Sequence, residues 1–368
     1  MTTLKRDSYD VLVVGGGPAG SAGALLAARH GAAVLLVEQH APPAPPGGCG
    51  WLGPAGVELC RELGVTAEAA GARPFAGLRL FSWDLARRVR LDDRELSGWL
   101  VERGRLDEAL LDAARQAGAD VRLGRKVTDI QLGEQQATLA LDDGTQVGGQ
   151  VVLVADGVSS PVGRQARLTP ALSLPDLPRC AFVEYACEGG GDGLDVAIGA
   201  DRRGRNLTIV RLGGRVRVSL TMHGSEREVA DEFADFCRRA AEVELLPPLD
   251  QTPRVRFSPG GAALELDSHV GKRSLLIGDA GGFVAAFSNE GIYPAMRSGT
   301  IAAETALRSL AAPVMQDELA TFGSAWRHEL ADYLRLPNTD LSLLIPLVFN
   351  NEQMSRRLAR AFLLGQPF

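Results

Sequence analysis

Hydrophobic residues follow two different rhythms along this chain. Tyr9 to Val14 (YDVLVV), Ala33 to Val37 and Val151 to Ala155 (VVLVA) are nearly unbroken apolar runs, the pattern of strands buried on both faces of a parallel sheet. Val121 to Leu123 and Ser274 to Ile277 (SLLI) extend the set. Ser21 to Arg29 and Leu106 to Gln116 (LDEALLDAARQ) read as helices, each stopped by a glycine, Gly31 and Gly118. Gly53 to Leu63 also looks helical, and Phe81 to Leu100 is compatible with sheet. Val127 to Leu141 alternates and meets a hairpin turn at Asp142-Asp143-Gly144. From about Ser173 to His269 the rhythm becomes short and alternating: Cys180 to Cys187, Asp195 to Ile198, Asn206 to Leu212 and Arg215 to Thr221, then a charged helix from Glu226 to Ala241. A long helix, roughly Gly291 to Leu310, and two or three more finish the chain. The prediction is an α/β protein. A Rossmann-like domain (1–172 and 270–335) is interrupted by an antiparallel β-sheet domain (173–269), and a helical segment (336–368) follows.

Composition narrows this without changing it. The 368 residues are 45% hydrophobic and 23% charged, enough for about two domains with cores of their own. A net charge of −6 gives no reason to expect nucleic acid as a partner. The five cysteines, Cys49, Cys60, Cys180, Cys187 and Cys237, are odd in number, scattered and without zinc spacing, so no metal site is expected and a reduced, cytoplasmic setting is. With only a short polar stretch before Tyr9, no signal peptide is expected. Leu341 to Phe349 (LSLLIPLVF) is too short to span a bilayer and contains Pro346.

The chemistry starts directly after the first apolar run, at Gly15-Gly16-Gly17-Pro18-Ala19-Gly20. A strand, this glycine turn and a helix make a dinucleotide-binding unit. Gly15 forms the tight turn, Gly17 lets backbone approach a pyrophosphate, and Gly20 lets the helix sit close on the strand. The helix N-terminus, with Pro18 and Ala19, offers free N–H groups and a positive dipole end to phosphate. Glu38, closing the second strand, is placed to accept hydrogen bonds from ribose hydroxyls. Two further strand ends, Asp156-Gly157 and Gly278-Asp279, turn the dinucleotide reading into a flavin reading, because FAD is long enough to cross several strand ends. Asp279 suits a ribitol hydroxyl. A helix opening at Gly291-Ile292 would aim its N–H groups at the flavin ring and stabilise negative charge there.

These motifs, with Arg103-Gly104-Arg105-Leu106-Asp107, Ala155-Asp156-Gly157-Val158-Ser159-Ser160-Pro161, Gly278-Asp279-Ala280-Gly281-Gly282 and Asn289-Glu290-Gly291-Ile292, resemble the glutathione-reductase-type FAD superfamily. Within it they are similar to the branch of geranylgeranyl reductases and single-component flavoprotein monooxygenases. The resemblance implies FAD contacts from Arg103 (phosphates), Val127 (adenine, through its backbone), Asp156 and Gly157 (pyrophosphate and incoming NAD(P)H), Asp279 (ribitol), and Gly291 and Ile292 (under the ring). Cys49-Gly50 resembles the cysteine-glycine step that the reductases place near flavin. Gly282 stands where aromatic hydroxylases usually carry histidine, which favours a reductase. Against that, no tryptophan lies between Trp99 and Trp326, so the reductases' tyrosine–tryptophan–phenylalanine–proline motif is missing.

The expected protein is an FAD-dependent oxidoreductase with NAD(P)H as a transient donor. Its ring would sit against the antiparallel sheet, under a mostly apolar pocket for a small hydrophobic substrate. Oxygen-dependent hydroxylation or epoxidation of an aromatic or isoprenoid-like metabolite is placed ahead of reduction of a carbon–carbon double bond. A flavin carrier without turnover is the reading from another class. Cys49 and His223 are the candidate catalytic residues; Glu184, Tyr185, Arg211 and His269 are further acids, bases or anchors to locate. The segment Leu341 to Leu364, with Arg356, Arg357 and Arg360, is expected to pack as a helix on the flavin domain; the alternatives are a cover for the substrate cavity or a peripheral membrane contact.

Overall fold

The computed structural model describes residues 8–41, 49–168, 177–187, 191–199, 204–249, 251–337 and 339–367. The expected boundary at 172/173 and most of the proline-rich loop after the second strand lie outside these. In order the elements are β1 (Ser8–Val14), α1 (Pro18–Arg29), β2 (Val34–Glu38), β3 (Trp51–Leu52), α2 (Pro54–Glu62), β4 (Arg73–Ala76), β5 (Leu78–Ser82), β6 (Arg88–Leu91), β7 (Ser97–Leu100), α3 (Arg103–Gln116), β8 (Asp120–Leu123), β9 (Val127–Leu132), β10 (Ala137–Leu141), β11 (Gln146–Val154), α4 (Pro161–Gln165), β12 (Arg179–Ala186), β13 (Gly193–Ile198), β14 (Asn206–Leu212), β15 (Arg215–Met222), α5 (Glu226–Glu242), β16 (Arg254–Phe257), β17 (Val270–Gly271), β18 (Ser274–Leu276), α6 (Ile292–Ala311), α7 (Met315–Ala320), α8 (Phe322–Leu334), α9 (Leu341–Val348) and α10 (Glu352–Leu364). Among the described residues four helices follow α6 where two or three were expected.

The first sheet runs β17-β18-β11-β1-β2-β8, and its β18-β11-β1-β2-β8 stretch is parallel. β1, β2, β18 and the second half of β11 are buried on both faces. Val11 and Val13 join the core under the helices, while Leu12 and Val14 join a second core with Val127, Ile130 and Leu139. The alternating stretch from Val127 is two strands, β9 and β10. One strand, β11, does two jobs: it pairs antiparallel with β10 near Gly148 and then parallel with β1 up to Val154.

The second sheet, β16-β12-β15-β14-β13-β5-β6, is antiparallel except where β13 meets β5. The 173–269 stretch does not hold all of it, because β5 and β6 come from the earlier segment. α5 covers one face through Val229, Phe233, Phe236 and Ala240. Its Ser225–Glu228 capping box fixes where that helix starts. The other face carries Leu194, Val196, Ile198 and Val210, which join the main core with Trp51, Leu100 and Phe362. The C-terminal helix α10 is held on the body of the protein: Phe362 stacks on Trp51 and Arg356 pairs with Asp93 at 2.7 Å. Among the described residues no helix is long and apolar enough to cross a membrane.

Candidate active site

A cleft of about 640 Å³ lies beyond the carboxyl ends of β1, β2, β11 and β18. Twelve of the thirteen residues expected to hold the cofactor line it: Gly15, Gly17, Pro18, Ala19, Glu38, Arg103, Val127, Asp156, Gly157, Asp279, Gly291 and Ile292. Gly20 does not. It lies one turn into α1, where a Cβ would overlap the Gly15 carbonyl, so its place is the helix–strand contact. Gly15 turns with φ +102° and has Ala155, the residue after β11, pressed against it. A Cβ on Gly17 would meet nothing within 4 Å, which leaves the space at the α1 N-terminus that a pyrophosphate needs.

The acidic groups divide by what already holds them. Glu38 takes hydrogen bonds from the Gly16 amide (2.7 Å) and the His40 amide (2.9 Å), which fix its carboxylate at the end of β2. The Asp156 carboxylate accepts from Ser160 Oγ (2.6 Å) and the Val162 amide (2.7 Å), so it caps α4 instead of reaching into the cleft. Asp279 has no protein hydrogen bond to its carboxylate among the described residues. Burial pushes its pKa up, with Arg256 and Arg103 opposing. A recessed acceptor without a protein donor fits a hydroxyl-bearing ligand such as ribitol. Arg103 pairs along α3 with buried Asp107 at 3.3 Å.

At the α6 end the structure corrects the expected electrostatics. The Ile292 and Tyr293 amides do not aim into the cleft; both donate to Glu290 Oε1, at 2.7 and 2.9 Å. Glu290 Oε2 accepts from Tyr333 at 3.0 Å. Glu290 is 0% exposed, and burial raises its pKa to about 7. The helix dipole is therefore met by the chain's own carboxyl. Cys49 lines the cleft beside the Gly291 amide. Burial, aided by Glu290, lifts its pKa to about 12, so it remains a thiol and cannot serve as a thiolate nucleophile.

A second cavity, about 610 Å³, shares Arg103 with the first and runs along the inner face of the second sheet. Phe182 and Glu184 on β12, Val210 and Leu212 on β14, Arg215 and Arg217 on β15 and Arg254 on β16 line it, with Gly50 and Val101 opposite. This wall is not the mostly apolar one expected. Strand parity also sorts the candidates. Glu184 faces the cavity and bonds Arg217 Nε at 2.8 Å, whereas Tyr185 faces α5. Arg211 points away from Val210 and pairs with Asp195. His269 is buried among Phe283, Phe322 and Trp326, bonded to the Gly281 carbonyl at 2.8 Å, with its pKa lowered by burial to about 4. His223 is exposed and lines neither cavity. It follows the end of β15 where Thr221 pairs with Cys180 beside the cleft, but its side chain is turned to solvent and is not among the residues the structure brings to either cavity. Arg217 and Arg256 are cavity or cleft residues that the sequence reading missed, and Asp107 and Glu290, present there only inside quoted motifs, were given no role. Alternation with Val210 and Glu184 would have flagged Arg217; nothing local flags Glu290.

The FAD binding domain family matches residues 8–173. Digeranylgeranylglycerophospholipid reductase of Methanocaldococcus jannaschii is 28% identical over 346 residues, 89% of this chain and 85% of that protein. The chain is an FAD-dependent oxidoreductase, similar over most of its length to reductases of the geranylgeranyl-reductase-like branch. Menaquinone reductase of Mycobacterium tuberculosis is 29% identical to this oxidoreductase over 319 residues, covering 81% of this chain and 76% of that one. The same fold is seen in a geranylgeranyl bacteriochlorophyll reductase-like protein of Thermoplasma acidophilum, with TM-score 0.76, 20% identity and 96% coverage of each chain.

Proposed function

We propose that this oxidoreductase is an NAD(P)H-dependent reductase of carbon–carbon double bonds. When bound, FAD would supply two-electron redox chemistry between NAD(P)H and substrate. The protein's part is to hold and to protonate. The Gly15–Gly20 turn and the α1 N-terminus take the pyrophosphate, Glu38 the ribose, Arg103 the phosphate charge and Asp279 the ribitol. The Cys49 thiol, kept protonated by burial, supplies a proton from Sγ to the carbon that does not receive hydride, and regains one from solvent. One carbon–carbon π bond breaks and two C–H bonds form, so NAD(P)H and a proton are consumed.

The observation that favours reduction is the backbone at Gly282. Its φ is +76°, and a Cβ there would overlap the Ala262–Ala263 backbone, so the histidine usual in aromatic hydroxylases cannot stand at this position. That reverses the order in which the two chemistries were expected. Oxygen-dependent hydroxylation or epoxidation stays as the second reading, favoured by the missing tryptophan motif and by an arginine-lined second cavity unlike a polyprenyl channel. Turnover without oxygen separates them. A reductase saturates its substrate anaerobically and incorporates no label from ¹⁸O₂; strict need for oxygen with label in the product would overturn the proposal.

A further inference from the structure

The inner face of the second sheet is continuous between the two cavities. Cys180 lines the cleft, and Phe182 and Glu184, at two-residue steps along β12, line the second cavity. On neighbouring β16, Arg256 lines the cleft and Arg254 the second cavity. Gly50 lies opposite; a Cβ there would meet Val210 and the Arg217 side chain at 3.5 and 3.6 Å. A ligand lying on this face therefore reaches from the Cys49–Gly50 step outward to β15 and β16.

The outer part of that face is charged unevenly. Three arginines, Arg215, Arg217 and Arg254, line it with one carboxylate, Glu184, so the sheet side carries two positive charges more than it neutralises (3 − 1). Glu184 is already shared: it accepts from Arg215 Nε at 2.9 Å and Arg217 Nε at 2.8 Å. Burial raises the Glu184 pKa, but the two guanidiniums outweigh it and hold the carboxyl ionised. Arg254 has no carboxylate partner among the described residues. The Arg217 side chain is only 12% exposed, so its charge acts across a partly water-free space. Across the cavity, Glu102 and α3 residue Glu108 face Arg105 and Arg103, which is already paired with Asp107, so that wall carries one excess negative charge and the cavity as a whole keeps one excess positive charge, all of it on the sheet side. Phe182, Val210 and Leu212 form an apolar strip beside the arginines. Guanidinium groups on a preformed strand lattice match the planar or trigonal oxygens of carboxylate and phosphate.

We propose that this cavity is a substrate subsite for an anionic group, carboxylate or phosphate, anchored by Arg215, Arg217 and Arg254, with the apolar part of the molecule on Phe182, Val210 and Leu212. The substrate is then amphipathic, with its reactive end toward Cys49 and its charged end away from it. This rests on the flavin reading of the neighbouring cleft.

The test is calorimetric titration of FAD-loaded protein with three matched probes: 4-phenylbutyrate, 4-phenylbutyl phosphate and 4-phenylbutanol. Both anions should bind at least about tenfold more tightly than the alcohol, and raised salt should weaken the anions alone. Arg254→Gln and Arg215→Gln should each weaken the anions several-fold and leave the alcohol unchanged. Tighter binding of the phosphate than of the carboxylate assigns a phosphate ester; the reverse assigns an acid. An alcohol that binds as well as the anions, variants that weaken all three alike, or no binding by any probe overturns the subsite. Visible absorbance before each titration reports FAD loading. A protein that takes up no FAD overturns the flavin reading and the subsite with it, whereas loaded protein indifferent to probe charge overturns the subsite alone.

Discussion

The two sheets build their halves of the site by different means. Around the first sheet the site is made of backbone: a glycine turn, strand ends and the α1 N-terminus, with few side chains where the cleft is tightest. Around the second sheet it is made of side chains whose facing depends on strand parity, and their charges settle what the surface attracts. Backbone sites tolerate almost no added atom. Side-chain sites tolerate added atoms but not lost charge.

The strongest way to break that contrast is an added side chain beside each sheet, in α1 against the first and in β13 of the second. Gly20→Val drives side-chain atoms into the Gly15 carbonyl and should cost more than about 4 kcal/mol by urea unfolding, with loss of FAD. Gly193→Ala at the start of β13 meets nothing within 4 Å and should change stability by less than about 0.5 kcal/mol, or raise it slightly. A native, FAD-holding Gly20→Val protein would end the claim that this region is backbone-limited.

On the second sheet the large effect should come from charge. Asp195 is 2% exposed and bridges Arg79, at 2.6 Å, and Arg211. Asp195→Ala leaves a buried guanidinium without its carboxylate and should cost about 3–5 kcal/mol. A loss below about 1 kcal/mol would mean that this sheet is held by its apolar face alone.

The α6 end offers a pH test. The Glu290 pKa stands near 7 against an ordinary 4.5, so between these values the folded chain keeps a proton that the unfolded chain has lost. Stability conferred by this group is complete at acid pH and declines as pH rises through about 7, by on the order of 3 kcal/mol. Unfolding of the wild type against Glu290→Gln from pH 5 to 8 should show this slope only in the wild type; equal slopes would place the pH dependence elsewhere.

The smallest effect is expected at His223→Ala: stability unchanged within about 0.5 kcal/mol and turnover unchanged. A large loss of turnover would return this residue to the chemistry.

The same contrast explains what could be read from the chain. The glycine turn, Glu38 and the strand ends are legible because backbone geometry restricts residue type at each position, and the unbroken apolar runs place the strands. The second sheet is less legible. Its alternation marks strands but not which parity faces the cavity, so Glu184, Tyr185 and Arg211 looked equivalent until α5 was seen to cover Tyr185. The entry of β5 and β6 into that sheet leaves no local mark, because pairing across more than a hundred residues depends on the whole fold. Glu290 was hidden for a related reason. Its hydrogen bonds to Ile292 and Tyr293 are local, but its burial comes from α8, through Tyr333.

The measurement that bears most directly on the account is FAD titration of the apo-protein, followed by visible absorbance and calorimetry. One FAD per chain, with a perturbed flavin spectrum and affinity weakened at least about tenfold by Asp279→Ala, is the predicted result. Absence of FAD binding by correctly folded protein, or binding that ignores Asp279, would contradict it.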